Sequence, residues 1–200
     1  MPAPFDYPAE PHKRRHGPLG YADYASYRPW LRDEFLFRCV YCLLREQWGL
    51  IRGVFALDHF HPVAIHPEKV TDYDNLLYAC VRCNLLKGSQ VVPDPTQVLL
   101  AASVHVREDG GIEADSVEAE RLIRILRLND PEFREYRLLW MQILRLAALR
   151  DHDLHQRLLA YPADLPDLAA LAPPEGNTRP GGVAESCHAR RQREALPTTY

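Results

Sequence analysis

Residues 39–87 read CVYCLLREQWGLIRGVFALDHFHPVAIHPEKVTDYDNLLYACVRCNLLK. Two Cys-x-x-Cys pairs, Cys39/Cys42 and Cys80/Cys83, bracket the stretch. Each pair can aim two sulfurs at one centre from a tight turn, and two such pairs around a folded insertion fit a tetrahedral four-cysteine zinc site. Zinc suits four soft thiolates and adds no redox chemistry. Four thiolates fill its shell and leave no place for water or substrate, so the expected role is structural. The site would clamp the segment around Cys39 to the one around Cys80. Unligated buried cysteines, or disulfides, are the other readings of the same four residues.

Between the pairs, Val54 to Phe60 is β-rich and brings Asp58 and His59 to its end. Neighbours on a regular strand point to opposite faces. A twist, bulge or strand end is therefore needed for both to serve one site, and His61-Pro62 supplies the expected strand end. Asn75 to Ala79 reads as a second short strand or turn. Val81 to Lys87 reads as a helix stopped by Gly88. Asn84 adjoins a zinc ligand and is held near it. One carboxylate (Asp58) and one amide oxygen (Asn84), completed by water, make a hard oxygen site suited to Mg²⁺ or Mn²⁺. Singly, the three residues also read as a strand-end Asp-His pair and a helix-capping Asn.

The string Cys39-x-x-Cys42, Leu57-Asp58-His59-Phe60-His61-Pro62, Asn75-Leu76, Cys80-x-x-Cys83-Asn84-x-x-Lys87-Gly88 resembles the HNH endonucleases, which have the ββα-metal (His-Me finger) fold. The likeness covers about residues 37–90. It implies an α+β fold: a ββα-metal core with a structural zinc knuckle, here followed by a helical C-terminal part. His59 matches the general base that activates water. Asn75 matches the middle Asn that orients the His-bearing loop. Asp58 and Asn84 match the pair that binds the catalytic metal. The departure is Asn84 where many members carry His, an HNN variant that keeps an oxygen ligand.

What the resemblance implies is a hydrolase: a metal-dependent endonuclease that uses Mg²⁺ or Mn²⁺ at Asp58 and Asn84 and leaves 5′-phosphate and 3′-hydroxyl ends. Imidazole is the side chain able to take a proton from water near neutral pH. A divalent ion can meet the charge that builds on the phosphorane and the departing oxygen. DNA is the expected partner. RNA or modified DNA as the target, and a zinc-stabilised nucleic-acid- or protein-binding module without catalysis, are the alternatives. His61, Arg82 and Lys87 are candidate substrate contacts, each of which also reads as an ordinary loop or solvated helix residue.

Composition agrees with one globular domain plus tails. The 200 residues are 46% hydrophobic and 26% charged, with a formal net charge of −3 that argues against a uniformly basic nucleic-acid binder. The first ten residues hold no apolar signal segment, and no stretch suits a membrane span. Four of five cysteines pair closely, which points to metal ligation in a reducing, cytoplasmic setting.

The expected organisation is a flexible arm over 1–20, the nuclease core with an N-terminal helix over 21–95, a hairpin plus helical extension over 96–161, and a flexible tail over 162–200. Lys13, Arg14 and Arg15 could touch phosphates from the arm, or be a solvated leader. Tyr21, Tyr24, Tyr27 and Trp30 read as core more readily than as a stacking platform. Extended segments are expected around Gly49 and Gly53. Asp109-Gly110-Gly111 reads as a hairpin turn. Helices are expected from Ser116, from Asp130-Pro131 with Asp130 as N-cap, and over Asp151–Tyr161. The first two carry Arg121, Arg124, Arg127, Arg134, Arg137 and Arg145, open to duplex contact, scaffolding or an oligomer interface. Residues beyond about 172 are expected to be disordered, and Cys187 there is an incidental thiol or a regulatory one.

Overall fold

In the computed structural model, described over residues 4–49, 54–100 and 104–200, the chain after a 3₁₀ turn at Tyr24–Tyr27 enters helix α1 (Arg28–Glu34). Pro29 stands in its first turn, where a missing N–H costs nothing. Trp30, Leu31 and Phe35 are buried with Tyr27, while Tyr24 stays exposed. A tight knuckle at Cys39–Leu44 follows. The expected extended segment at Gly49 is instead a 3₁₀ turn, Glu46–Trp48, whereas the second, Val54 to Phe60 after Gly53, does contain a strand, Phe55–His59.

Strands β1 (Phe55–His59) and β2 (Leu76–Cys80) pair antiparallel in regular register, from Phe55↔Cys80 to His59↔Leu76. Helix α2 (Val81–Lys87) begins at the residue after β2 and packs on both strands. Cys80 caps it, its Sγ accepting from the Cys83 N–H at 3.4 Å. Gly88 ends it at φ +53, a left-handed conformation for which glycine pays no Cβ penalty. These three elements form an α+β core of ββα order.

A short helix α3 (Pro95–Val98) leads to the hairpin β3 (Val104–Val106) and β4 (Ile112–Ala114), with Gly110 at φ +77 in its turn; the expected residues 101–103 of this hairpin lie outside the described ones. Ser116 caps α4 (Val117–Ile125) through a 3.2 Å bond from the Ala119 N–H. Asp130 precedes the long α5 (Pro131–Arg150), but its carboxylate pairs with Arg127 and makes no capping bond. Asp151 then caps α6 (His152–Leu159), accepting from Leu154 N–H at 2.9 Å.

The inner face of α5 joins the same core as the knuckle. Trp140 stacks on Trp48 with ring centroids 4.4 Å apart, and the Trp48 indole donates to the Leu158 carbonyl at 2.8 Å. Arg137, expected to be open to a duplex, is buried and donates to the carbonyls of Gly110 and Leu128, both at 2.6 Å.

Both terminal segments depart from the expected disorder. Phe5, Tyr7 and His16 are buried. Residues 17–19 and 175–178 run antiparallel, with Leu19 N–H bonded to Gly176 O and Thr178 N–H to Gly17 O. Short helices α7 (Gly181–Ala184) and α8 (Cys187–Gln192) follow, and Cys187 is buried. The cause is a pair of buried carboxylates on α1. Asp33 accepts from His16 Nε2 (2.8 Å), Arg15 (3.1 Å) and the Cys187 N–H (2.7 Å). Glu34 meets His12 Nε2 (2.8 Å), the N–H groups of Arg15 and His16, and Tyr73 OH (3.0 Å). Buried charge is tolerated only when paired, so the arm is required by α1.

Candidate nuclease site

The knuckle is fixed from inside and outside. Cys39 N–H donates to Leu44 O (2.8 Å), Leu43 N–H returns to Cys39 O (3.0 Å), and Leu43 turns at φ +58. Val40 N–H reaches Tyr78 O on β2 (2.9 Å). The four sulfurs of Cys39, Cys42, Cys80 and Cys83 all lie within 4.8 Å of one another, and all four residues are buried and free of disulfides. Cys42 and Cys80 Sγ are 3.7 Å apart. Tetrahedral zinc with Zn–S bonds of about 2.3 Å requires sulfurs about 3.8 Å apart, so the donor set fits zinc. Hydrogen bonds from Cys39, Cys42 and Cys83 hold the Cys80 thiol far below its ordinary range, while those among the sulfurs push Cys42 and Cys83 up. Thiols this close cannot all ionise without a cation among them.

His59 is the last residue of β1. Its Nε2 lies 2.9 Å from the Val70 carbonyl and its ring meets Tyr24 edge-on at 4.9 Å. A carbonyl only accepts, so in the neutral ring Nε2 carries the proton and Nδ1 has the free lone pair.

Asn75, fully buried, joins the loop that follows β1 to the loop that carries Val70. Its Oδ1 accepts from His61 N–H (2.7 Å), and its Nδ2 donates to the carbonyls of His61 and Lys69 (both 3.2 Å). Val70 is the next residue, so Asn75 fixes the acceptor that orients His59.

Residues 39–90 match the family model for the HNH endonucleases. This stretch is an HNH domain. No curated protein matches the chain. The HNH domain accounts for the ββα core, the knuckle and the strand-end histidine, and residues outside it pack the structure around them.

Asp58, expected to bind a metal beside His59, is differently placed. The ladder is regular through both residues, so their side chains leave on opposite faces and have separate partners. Asp58 is buried, with Oδ2 accepting from Tyr41 OH at 2.5 Å and Oδ1 from Lys87 Nζ at 2.9 Å. Lys87 Nζ also donates to the His59 carbonyl at 2.6 Å. The cation that Asp58 meets in this structure is the Lys87 ammonium. Asn84 is half-buried on α2 and its side chain bonds to no described residue. Of the expected metal pair, Asp58 is thus engaged by Tyr41 and Lys87, and Asn84 is bonded to no described residue.

Two candidate DNA contacts are also spent on the protein. Lys87 is buried, and exposed Arg82 pairs with Glu132 and lies over the Phe133 ring at 4.3 Å. From the arm, Arg14 turns inward to Leu76 O (2.6 Å), flanked by the rings of Phe35 and Tyr73. His61 does remain at the surface, its ring 5.2 Å from that of His66. Partial burial, then the charges of Lys69 and His66, lower the His61 imidazole below its ordinary value.

Sequence reasoning passed over Tyr41 and underread Lys87. A signal for Lys87 existed: it lies four residues after Cys83, and i, i+4 neighbours share a helix face. A zinc ligand must face inward, so Lys87 does too.

Proposed function

We propose that this protein is an endonuclease that hydrolyses phosphodiester bonds in DNA, with His59 as general base through Nδ1. The observation that carries the reading is the His59–Val70 hydrogen bond inside an HNH domain. It holds the ring in the tautomer that leaves Nδ1 able to accept a proton from water, and Asn75 holds the acceptor in place. The deprotonated water attacks phosphorus and the 3′ oxygen departs.

HNH nucleases use divalent metals, and Mg²⁺ or Mn²⁺ is the proposed requirement here. Asn84 offers an amide oxygen bonded to no described residue, three residues before Lys87 and hence on the same side of α2. Asp58 would join it only once its pair with Lys87 is broken. That pair is the observation favouring the second reading, a zinc-stabilised nucleic-acid-binding module without catalysis.

Plasmid cleavage with Mg²⁺ or Mn²⁺, comparing the wild type with His59→Ala, tests the proposal. Metal-dependent nicking or linearisation by the wild type is expected, with a loss of about 10²-fold or more in the variant. Binding without cutting by the wild type would establish the second reading. Equal cutting by a folded His59→Ala variant would remove His59 from the mechanism.

A further inference from the structure

The outer face of α5 carries an apolar seam with no covering partner among the described residues. Leu139, Ile143 and Leu146 are exposed to 54%, 36% and 61%. Their spacing of four and three places them on one side of the helix, opposite the Phe133, Arg137, Leu144 and Ala147 face that enters the core. On the same line, Glu135 stands one turn before Leu139 and Arg150 one turn after Leu146, both exposed. Of the other charges on this helix, Glu132 pairs with Arg82 and Arg134 with Asp109, Arg137 is buried against backbone carbonyls, and Arg145 is exposed away from this line. Glu135 and Arg150 form no ion pair with any described residue.

We infer that this seam pairs with the same seam of a second copy of the chain, the two α5 helices running antiparallel about a twofold axis between Gln142 and Ile143. The order of residues sets that register. Rotation about this point brings Leu139 opposite Leu146, Gln142 opposite Ile143, and Glu135 opposite Arg150, each pairing occurring twice. A parallel arrangement would set Glu135 against Glu135 and Arg150 against Arg150, which repel. An isologous contact needs a self-complementary patch, and this one is self-complementary in both apolarity and charge. One helix pair is a small interface, so association is expected to be reversible and to depend on concentration.

Sedimentation velocity on the full chain over a range of concentrations tests the inference. A wild-type monomer–dimer equilibrium is expected. Leu139→Glu/Leu146→Glu should sediment as a monomer with unchanged circular dichroism. Glu135→Arg should lose the dimer, and Glu135→Arg/Arg150→Glu should regain it. Under mild oxidation Ile143→Cys should cross-link two chains. Glu135→Cys should not, because its two copies would be separated by about 22 Å along the axis. A wild type that stays monomeric at the highest concentrations, a dimer that survives the double glutamate substitution, a charge swap that restores nothing, or cross-linking at Glu135→Cys would each overturn it.

Discussion

Lys87 Nζ lies 2.9 Å from Asp58 Oδ1, and both side chains are almost completely buried, at 1% and 3% exposure. Burying two charges costs several kcal/mol per ion before their attraction returns it, so removing one partner is worse than removing both. Lys87→Met is expected to lower stability by about 3–5 kcal/mol. The Lys87→Met/Asp58→Asn double variant should recover part of that loss. Urea unfolding of the two single variants and the double closes the cycle, and additive losses would show that the pair is not coupled.

The cysteine cluster carries a second expectation. Protein purified without chelator should contain one zinc per chain by elemental analysis. Cys80→Ser should lose the metal and cooperative unfolding together, because Cys80 is both a donor and the cap of α2. A metal-free preparation with full secondary structure would make the four thiols simple core residues.

Asn75 should separate positioning from chemistry. Asn75→Ala removes three hydrogen bonds from a buried site and is expected to cost about 1–3 kcal/mol for the backbone groups left unpaired. It should slow cleavage while zinc content stays unchanged. Asn75→Asp keeps the acceptor for His61 N–H but loses the donor to Lys69 O. Comparable slowing in both variants would locate the effect in the Val70 loop. A rate equal to wild type in Asn75→Asp would shift the weight to His61.

Acid should act on the folded state through Glu34. Burial alone would raise its carboxyl, but the His12 hydrogen bond, the Arg15 N–H and the nearby Arg14 charge hold it at about 2, against an ordinary value of 4.5. A carboxylate depressed by folding contributes fully above the unfolded value and loses that contribution as pH falls through the folded one. The window is therefore pH 4.5 down to about 2, with a contribution of about 3 kcal/mol. Urea midpoints across this range should drop for the wild type and respond less in Glu34→Gln. Parallel pH curves for the two would assign the acid sensitivity elsewhere.

The HNH core was legible because its signals are local. Cysteine spacing marked the knuckle, the β-rich run before Asp58 marked β1, and Gly88 marked the end of α2. The terminal segments were not legible, because their order depends on partners distant in sequence. Lys13, Arg14 and Arg15 look like a solvated basic leader until Asp33 and Glu34 are known to be buried, and nothing local in the sequence of α1 marks those two carboxylates as buried. The partners of Asp58 were hidden for a related reason. An acidic residue beside the strand-end histidine suggests a metal ligand, and only the inward turn of Lys87 shows that a cation of the chain itself pairs with it.

The bond from the Cys187 N–H to Asp33 has a consequence for biosynthesis. The two residues lie 154 positions apart, and at about 5–20 residues per second a ribosome takes roughly 8–30 s to travel between them. During that interval His16 and Arg15 can already reach Asp33, and the cysteine knuckle can already take up metal. The four-cysteine cluster can thus assemble well before α1 is sealed, and a translation product stopped between residues 83 and 187 would carry all four cysteines beside an unsealed helix.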